Sequence, residues 1–351
     1  MEDTNILNVA VDVGYGYVKA MTDNNKRVIF PTLIGNGVDS DFGSMFSREN
    51  NIKNMHVDYK NESFFVGEMA MNSKNQSRIF EQKRYDSEHF KLILNVAIQL
   101  LTEGKTSNVN LTTGLPLSFF SSQQKELRES LKGLQPTIKW KQGTLAGQSL
   151  TTNINDVIVF PQGASAIHSA LADSKGKFIH PELMLSGNLL GLIDIGYRTT
   201  DFVVVEVKEN GALEPKEILS STIDNIGVHS LMHSIKTRFK AESNGADLSE
   251  YHLSRLLQRG FIKHAGKKID FTDFIEESKH NLASSIAESL KSNWAEESNF
   301  FDGIFLAGGG GMLFEDSLQQ HFQNELILIE ENQFANAIGY KRWGDVYFNR
   351  K

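Results

Sequence analysis

The sequence predicts an α/β protein built from two similar domains, and three observations carry that prediction. Apolar, β-branched runs of strand length alternate with segments of helical period from one end of the chain to the other. A length of 351 residues allows two domains or one large one, with ample chain to bury a core. Most telling, Asp194-Ile195-Gly196-Tyr197-Arg198 repeats a device already present at Asp12-Val13-Gly14-Tyr15-Gly16. Each is a buried strand, an aspartate, a glycine turn and a return strand. The two copies stand a domain-sized interval apart, which implies an internal duplication with two α/β halves facing a shared cleft.

Composition narrows the function. A formal net charge of −7 argues against a broad non-specific nucleic-acid surface and leaves room for a local basic patch. The absence of cysteine removes disulfides and thiol catalysis and fits a reducing cytoplasm, the expected location. Met1 to Asn5 is acidic and polar, without the basic start of a secretion signal. No apolar run approaches the roughly 18 residues of a membrane span. No basic amphipathic helix opens the chain, so direct membrane binding is not expected. With six prolines and no low-complexity tract, no long disordered linker is expected.

In chain order, Ile6 to Val11 reads as a buried strand ending at Asp12, and Val13 to Lys19 as a Gly-rich turn running into a second strand. The D-x-G-x-G-x-x-K pattern has a physical logic. Gly14 and Gly16 let the backbone approach a phosphate. Asp12 can anchor Mg²⁺ through water, and Lys19 can reach phosphate oxygens as a point charge. The plainer alternative for Lys19 is a solvated strand end. Arg27 to Ile34 reads as strand ending near Pro31, 35–54 as a polar surface excursion, and Glu62 to Val66 as strand. Phe90 to Leu101 is apolar nearly all round, the mark of a helix buried between layers. Val109 to Thr113 and Asp156 to Phe160 read as strands, with a polar helix over Ser122–Leu131 between them.

Pro161-Gln162-Gly163 then leads into a helix from Ala164 to about Ala172. A polar side chain at that strand end is well placed to orient a water. His168 has no partner at metal-ligand spacing and reads as an interior or interfacial histidine. After Asp194–Asp201, which alone could be an ordinary hairpin, come helices at 228–239, 253–257 and 271–294 whose apolar stripes are core packing. Asp302 to Ala307 is a strand that enters Gly308-Gly309-Gly310-Gly311, where a flat ligand or phosphate could lie on the backbone; a tight turn into the helix Leu313–Phe322 is the alternative. Leu326 to Ile329 is a last strand and Asn332 to about Trp343 a last helix.

Taken together, these elements resemble the actin / sugar kinase / heat-shock chaperone ATPase superfamily, in its order. Asp12–Lys19 matches the first phosphate loop, Phe160–Leu171 the first connecting segment, and Asp194–Asp201 the second phosphate loop. Ala307–Gly311 matches the adenosine loop and Asn332–Trp343 the second connecting helix. Within the superfamily the chain is most similar to the prokaryotic actin-like proteins of the ParM type. The similarity rests on Phe64-Phe65-Val66-Gly67-Glu68-Met69-Ala70, on the D-I-G-x-x-T-x-D form of Asp194–Asp201, and on Arg255–Ile262 followed by Gly266–Asp270.

The resemblance implies an actin-like fold: two duplicated α/β, ribonuclease H-like domains around a nucleotide cleft. Domain I would span 1–165 plus 333–351, with a small insertion at about 31–82. Domain II would span 166–332, with a helical subdomain at about 227–300. It implies phosphate binding by Gly14, Tyr15, Gly16, Lys19, Gly196 and Tyr197, and a nucleoside against Gly308, Gly309 and Gly310. Mg²⁺ would be organised by Asp12 and Asp194 largely through water, with Gln162 positioning the attacking water. Four positions depart from the pattern of one family member or another: Tyr15 where actin has serine, Tyr197-Arg198 where small residues are common, and Gln162 where ParM has glutamate and actin glutamine.

The function implied is hydrolysis of ATP (or GTP) coupled to filament assembly, slow in monomer and faster in polymer. The partners implied are further copies of the chain and a small DNA-binding adaptor that links the filament to plasmid or other DNA. Two alternatives remain open: a small-molecule kinase of the same superfamily, for which no substrate-site aspartate stands out, and a non-hydrolysing nucleotide-binding scaffold. A chaperone is disfavoured because the chain ends at Lys351 without a peptide-binding domain.

Overall fold

Seven residues that alternate sides, Leu7–Val13, form β1, and their two faces go to two different cores. Val9, Val11 and Val13 join one cluster of buried side chains, and Ala10 joins another. The computed structural model to which this strand belongs describes residues 6–22, 26–37, 50–73, 75–78, 87–105, 107–173 and 177–349. The N-terminal five residues and most of the polar excursion expected over 35–54, at 38–49, lie outside the described residues.

The chain divides into two units. The first runs to residue 169 and resumes at 334; the second comprises 170–173 and 177–333. Unit 1 continues from β1 with β2 (Tyr17–Thr22), β3 (Arg27–Pro31), β4 (Ile34–Asn36), β5 (Met55–Tyr59), β6 (Glu62–Val66) and β7 (Gln76–Ser77). Helix α1 (Glu88–Leu101), β8 (Ser107–Leu115), α2 (Leu117–Leu131), β9 (Thr137–Gln142) and β10 (Ser149–Pro161) follow. Helix α3 (Ala164–Leu171) begins in unit 1 and ends in unit 2.

Unit 2 holds β11 (Leu189–Ile195), β12 (Thr200–Val207), β13 (Leu213–Pro215) and β14 (Ser221–Ile223), then α4 (Val228–Glu242) and α5 (Glu250–Arg259). A hairpin, β15 (Phe261–His264) and β16 (Lys267–Asp270), leads to α6 (Thr272–Trp294). Next come β17 (Gly303–Ala307), α7 (Gly311–Gln319) and β18 (Leu326–Leu328). The chain returns to unit 1 as α8 (Ala335–Phe348).

The duplication is visible in the sheets. In unit 1 the strand order β3-β2-β1-β8-β10 has β1 antiparallel to β2 and parallel to β8, which is parallel to β10. In unit 2 the order β13-β12-β11-β17-β18 has β11 antiparallel to β12 and parallel to β17, which is parallel to β18. Strand β10 is longer than its apolar run, because Ser149–Thr151 extend past β8 to pair with β9; β5, β6, β4 and β7 extend the sheet from there.

Helix α1 is buried on nearly every side, as its all-round apolar sequence predicts. It packs with the Val9–Val11–Val13 face of β1, while Ala337, Ile338 and Tyr340 of α8 pack with Ala10 on the other. A Leu→Ala change at fully buried positions such as Leu94 costs about 2–5 kcal/mol. The unit 2 core joins Ile193, Phe202 and Ile304 of the sheet to Leu231, Ile286 and Trp294 of the helices.

Several helix starts differ from the periodicity, among them α5 at Glu250 rather than Leu253 and α7 at Gly311 rather than Leu313. Helix α2 begins at Leu117, directly after Pro116, which occupies its N-cap position. Helix α8 begins at Ala335 rather than Asn332, because Asn332 turns its side chain onto the Gly308 carbonyl instead of entering the helix. Among the described residues no helix is long and apolar enough to cross a membrane.

Candidate functional site

The end of β1 places Asp12 at the centre of a polar cluster in unit 1. The carboxylate is buried, 4% exposed, and Lys19 lies opposite it in the β1–β2 register. Lys19 Nζ is 3.2 Å from Asp12 Oδ2, with only 15% of the lysine side chain exposed, so Lys19 is not a solvated strand end. On the other oxygen, Gln162 Nε2 donates to Asp12 Oδ1 at 3.3 Å. Gln162 is carried there by β10, whose parallel pairing with β8 brings its last residue level with Leu115; Gln162 N–H donates to the Leu115 carbonyl at 2.8 Å. Sheet register therefore brings Asp12, Lys19 and Gln162 together.

The turn Gly14-Tyr15-Gly16 is held from behind. Its carbonyls are occupied: Thr32 Oγ1 donates to Gly14 O at 2.8 Å, and Thr32 N–H donates to Gly16 O at 2.8 Å. Arg78 Nη1 donates to Gly16 O at 3.0 Å and to Tyr15 O at 3.5 Å. Peptide planes whose carbonyls are tied back turn their N–H groups the other way, the orientation of an anion-binding loop. Neither Thr32 nor Arg78 is singled out by sequence pattern. The signal that could find Thr32 is a polar side chain buried at the end of β3, 1% exposed.

Unit 2 repeats the arrangement with other parts. Asp194, 8% exposed, ends β11, and its cross-strand partner is Asp201. Asp201 is thus the counterpart of Lys19, seven residues after its aspartate in both copies. Burial pushes Asp201 up to about 7, against the hydrogen bonds it accepts from Thr222 and Thr199; the Asp194 and Asp224 carboxylates push the same way as burial. The turn at Gly196 is tied back by the N-terminus of α4. Val228 N–H donates to Gly196 O at 3.1 Å and His229 N–H to Tyr197 O at 2.6 Å. Gly227 permits this approach, since a Cβ there would lie 2.7 Å from Gly196 O. Tyr197 packs edge-on against His229, and Arg198 Nε donates to Asn225 Oδ1 at 3.2 Å on the exposed side of the loop.

Behind Asp194 comes the glycine run. Gly308 has φ +81°, and a Cβ on it would collide with Asp194 Oδ1 and the Ile195 carbonyl, so glycine is required by conformation and by space. Gly310 N–H donates to Ile195 O at 2.8 Å, and Asn332 Nδ2 donates to Gly308 O at 3.0 Å. A Cβ on Gly309 would meet, among the described residues, Gln333 Nε2 alone, at 3.8 Å. The run thus brings bare backbone beside the Asp194 loop and then enters α7. His168 stands apart: its ring packs on Trp343 at 5.0 Å, and its Nδ1 is buried with no hydrogen-bond partner among the described residues.

The donor set suits a nucleotide with its cation. Each unit offers one buried carboxylate at the mouth of a tied-back turn, and unit 1 adds a lysine. Among the described residues no group of three or more His, Asp or Glu is placed to hold a metal directly. A single carboxylate suits a cation that keeps most of its water.

Known proteins of two kinds match the chain. Residues 10–164 match the N-terminal domain of actin-like proteins, and residues 192–320 the C-terminal domain of the MreB-like archaeal actin homologues. The structure is similar to pCBH ParM, solved as a non-polymerisable quadruple mutant, at TM-score 0.85 and 30% identity over 97% of this chain and 100% of that one. It is similar to ParM in a 15-stranded filament from Clostridium botulinum, at TM-score 0.85 and 30% identity over 97% and 99%. An archaeal actin homolog of Thermoplasma acidophilum is 24% identical over 345 residues, 95% of this chain and 97% of the relative. An archaeal actin homolog in complex with ADP shares the fold at TM-score 0.77 and 22% identity, over 99% of this chain and 100% of that one. With two actin-like domains matched in order and a 30% identical relative covered from end to end, the chain belongs to the prokaryotic actin-like proteins of the ParM type.

Proposed function

We propose that this protein binds ATP or GTP, hydrolyses it, and couples hydrolysis to its own assembly into filaments. One observation carries the reading: Asp12, Lys19 and Gln162 converge beside a turn whose carbonyls are all tied back. Phosphoryl transfer needs charge stabilisation and a placed nucleophile more than covalent chemistry. Lys19 supplies a positive charge, and the Tyr15 and Gly16 amides supply dipoles, the Gly14 N–H being donated within the turn to the Tyr17 carbonyl at 3.1 Å. Gln162 supplies the placement. A carboxylate can only accept, so the hydrogen bond to Asp12 points the amide nitrogen of Gln162 at Asp12 and frees Oε1 to accept from a water. Asp12, with Asp194 as the corresponding carboxylate of unit 2, would hold Mg²⁺ largely through water, and that ion would offset phosphate charge. In the second turn the Gly196 N–H is held by the Thr199 carbonyl at 2.9 Å, so Gly196 would give close backbone approach and Tyr197 an amide dipole, and Gly308, Gly309 and Gly310 would pass under the nucleoside.

Assembly into filaments is supported by the likeness to ParM solved as a filament. On that family relationship we extend the proposal to the segregation of plasmid or other DNA in the cytoplasm, through a small DNA-binding adaptor. The test is sedimentation with Mg²⁺-ATP, Mg²⁺-GTP, ADP and no nucleotide, with phosphate release followed in parallel. Pelleting with a triphosphate together with phosphate release is the expected result. Pelleting without release would make the protein a nucleotide-binding scaffold, and no pelleting under any condition would overturn the filament reading.

A further inference from the structure

We propose that the outward face of the segment from α5 through β16 is a contact for the acidic surface of a second copy of this chain; the inference rests on the filament reading above. Between Tyr251 and Lys268 the sequence places Arg255, Arg259, Lys263, Lys267 and Lys268 and not one aspartate or glutamate. Arg255 and Arg259 stand one helical turn apart on α5, and the lysines sit on the hairpin that follows. Ile262 and Ile269 face each other across that hairpin and pack on the unit 2 core, so period-two alternation turns Lys263 and Lys268 to the outer side.

The register then sets like charge against like. Lys263 pairs directly with Lys268. Like charges directly opposite one another destabilise a strand pair. Lys268 is partly relieved by Asp270 at 3.1 Å and by the Phe261 ring at 4.4 Å, and Arg255 lies over Tyr251. Arg259, Lys263 and Lys267 are exposed and have no carboxylate at ion-pair distance among the described residues. Several cations elsewhere in unit 2 are matched, Lys236 with Glu250, Arg238 with Glu242 and Lys240 with Asp247, while Lys291 stands alone among the described residues. Arg259, Lys263 and Lys267 thus concentrate unmatched charge within one short stretch of the surface. A local rule broken with only partial compensation inside the fold points to further compensation from outside it.

The compensating surface is anionic, and the net charge of the chain favours a second copy as its source. The formal charge of the whole is −7, so the remainder without these five cations carries −12. A basic patch that meets an acidic surface elsewhere on an identical copy makes a heterologous contact. Such a contact propagates into an open assembly when its rotation does not close a ring. A nucleic-acid backbone is also anionic, but it would draw on this face without using the acidity of the rest.

The experiment compares wild type with K263E/K267E and with K263Q/K267Q in nucleotide-dependent pelleting, with nucleotide affinity and thermal unfolding as controls of folding. The charge reversal should raise the concentration needed for pelleting by about tenfold or more, with the neutral variant between. Nucleotide affinity should not change. Raising salt from about 50 to about 200 mM should weaken wild type far more than K263Q/K267Q, because exposed charges are screened over about 10 Å. Equal thresholds for all three proteins would overturn the contact and leave the filament reading standing. Failure of wild type to pellet with any nucleotide would overturn both. Loss of labelled duplex DNA binding in K263E/K267E with pelleting unchanged would assign the face to nucleic acid and overturn the second-copy contact.

Discussion

Gln162 and Asp12 are 150 positions apart, and their side chains meet at 3.3 Å. The contact orients the amide rather than holding the fold, so Gln162→Ala should leave nucleotide affinity nearly intact while cutting phosphate release by about 10²-fold, the size of a lost positioning interaction. Wild-type turnover in that variant would assign the water to another residue. His168 shows a residue-scale effect of a different kind. Burial against Trp343, helped by the nearby Arg342 guanidinium, holds its imidazole down at about 4, against about 6.5 when unfolded. A depressed histidine is neutral in the folded chain, so between those two values the unfolded chain binds more protons. Stability is then fully present above about pH 6.5 and falls as the pH drops towards 4, by at most about 3 kcal/mol. Denaturant unfolding of wild type and His168→Gln across that range reads the effect. A parallel loss in both proteins would remove His168 as the cause.

At the scale of elements, the two phosphate turns reach the same end by different means. The first is tied back by a threonine and an arginine, the second by the N-terminus of α4. Arg78→Ala removes a charged donor from the first turn without opening the core. Nucleotide should then bind about tenfold more weakly, near 1.4 kcal/mol, while the melting temperature barely moves. A calorimetric titration showing unchanged affinity would reduce Arg78 to a surface tie. Elements differ in how plainly they can be read. The all-apolar α1 and the runs of β1 and β11 need no partner to be recognised, because burial on all sides leaves a continuous apolar sequence. Strands β5 and β9, MHVDY and TIKWKQ, are short and alternating. Their apolar side chains become core only because the two strands pair with each other across more than 70 residues. Asn332, which reads as a helix start, ends as a hydrogen bond to Gly308, a choice set by a neighbouring loop.

For the whole molecule, the repeat of strand, aspartate, glycine turn and return strand is legible in one dimension, since each copy is a local pattern of some ten residues. It announces the duplicated fold, and the equal strand orders of the two units bear it out. The same repeat hides a difference. Counting seven residues on from each aspartate reaches Lys19 in one copy and Asp201 in the other, yet only the ladder shows that both face their aspartates. The net charge of −7 is likewise a property of composition, while the pairing of Lys263 with Lys268 comes from register. By itself the sequence determined the fold class, the aspartates and glycines of both turns, and the place of Gln162 at a strand end. These follow from patterns shorter than the elements they form. Tertiary structure alone decided which polar groups meet: Gln162 with Asp12, Arg78 with Gly16, Asp194 beside Gly308. Those distances depend on the register of strands far apart in the chain, and register is set by packing across the sheet rather than by any local run of residues.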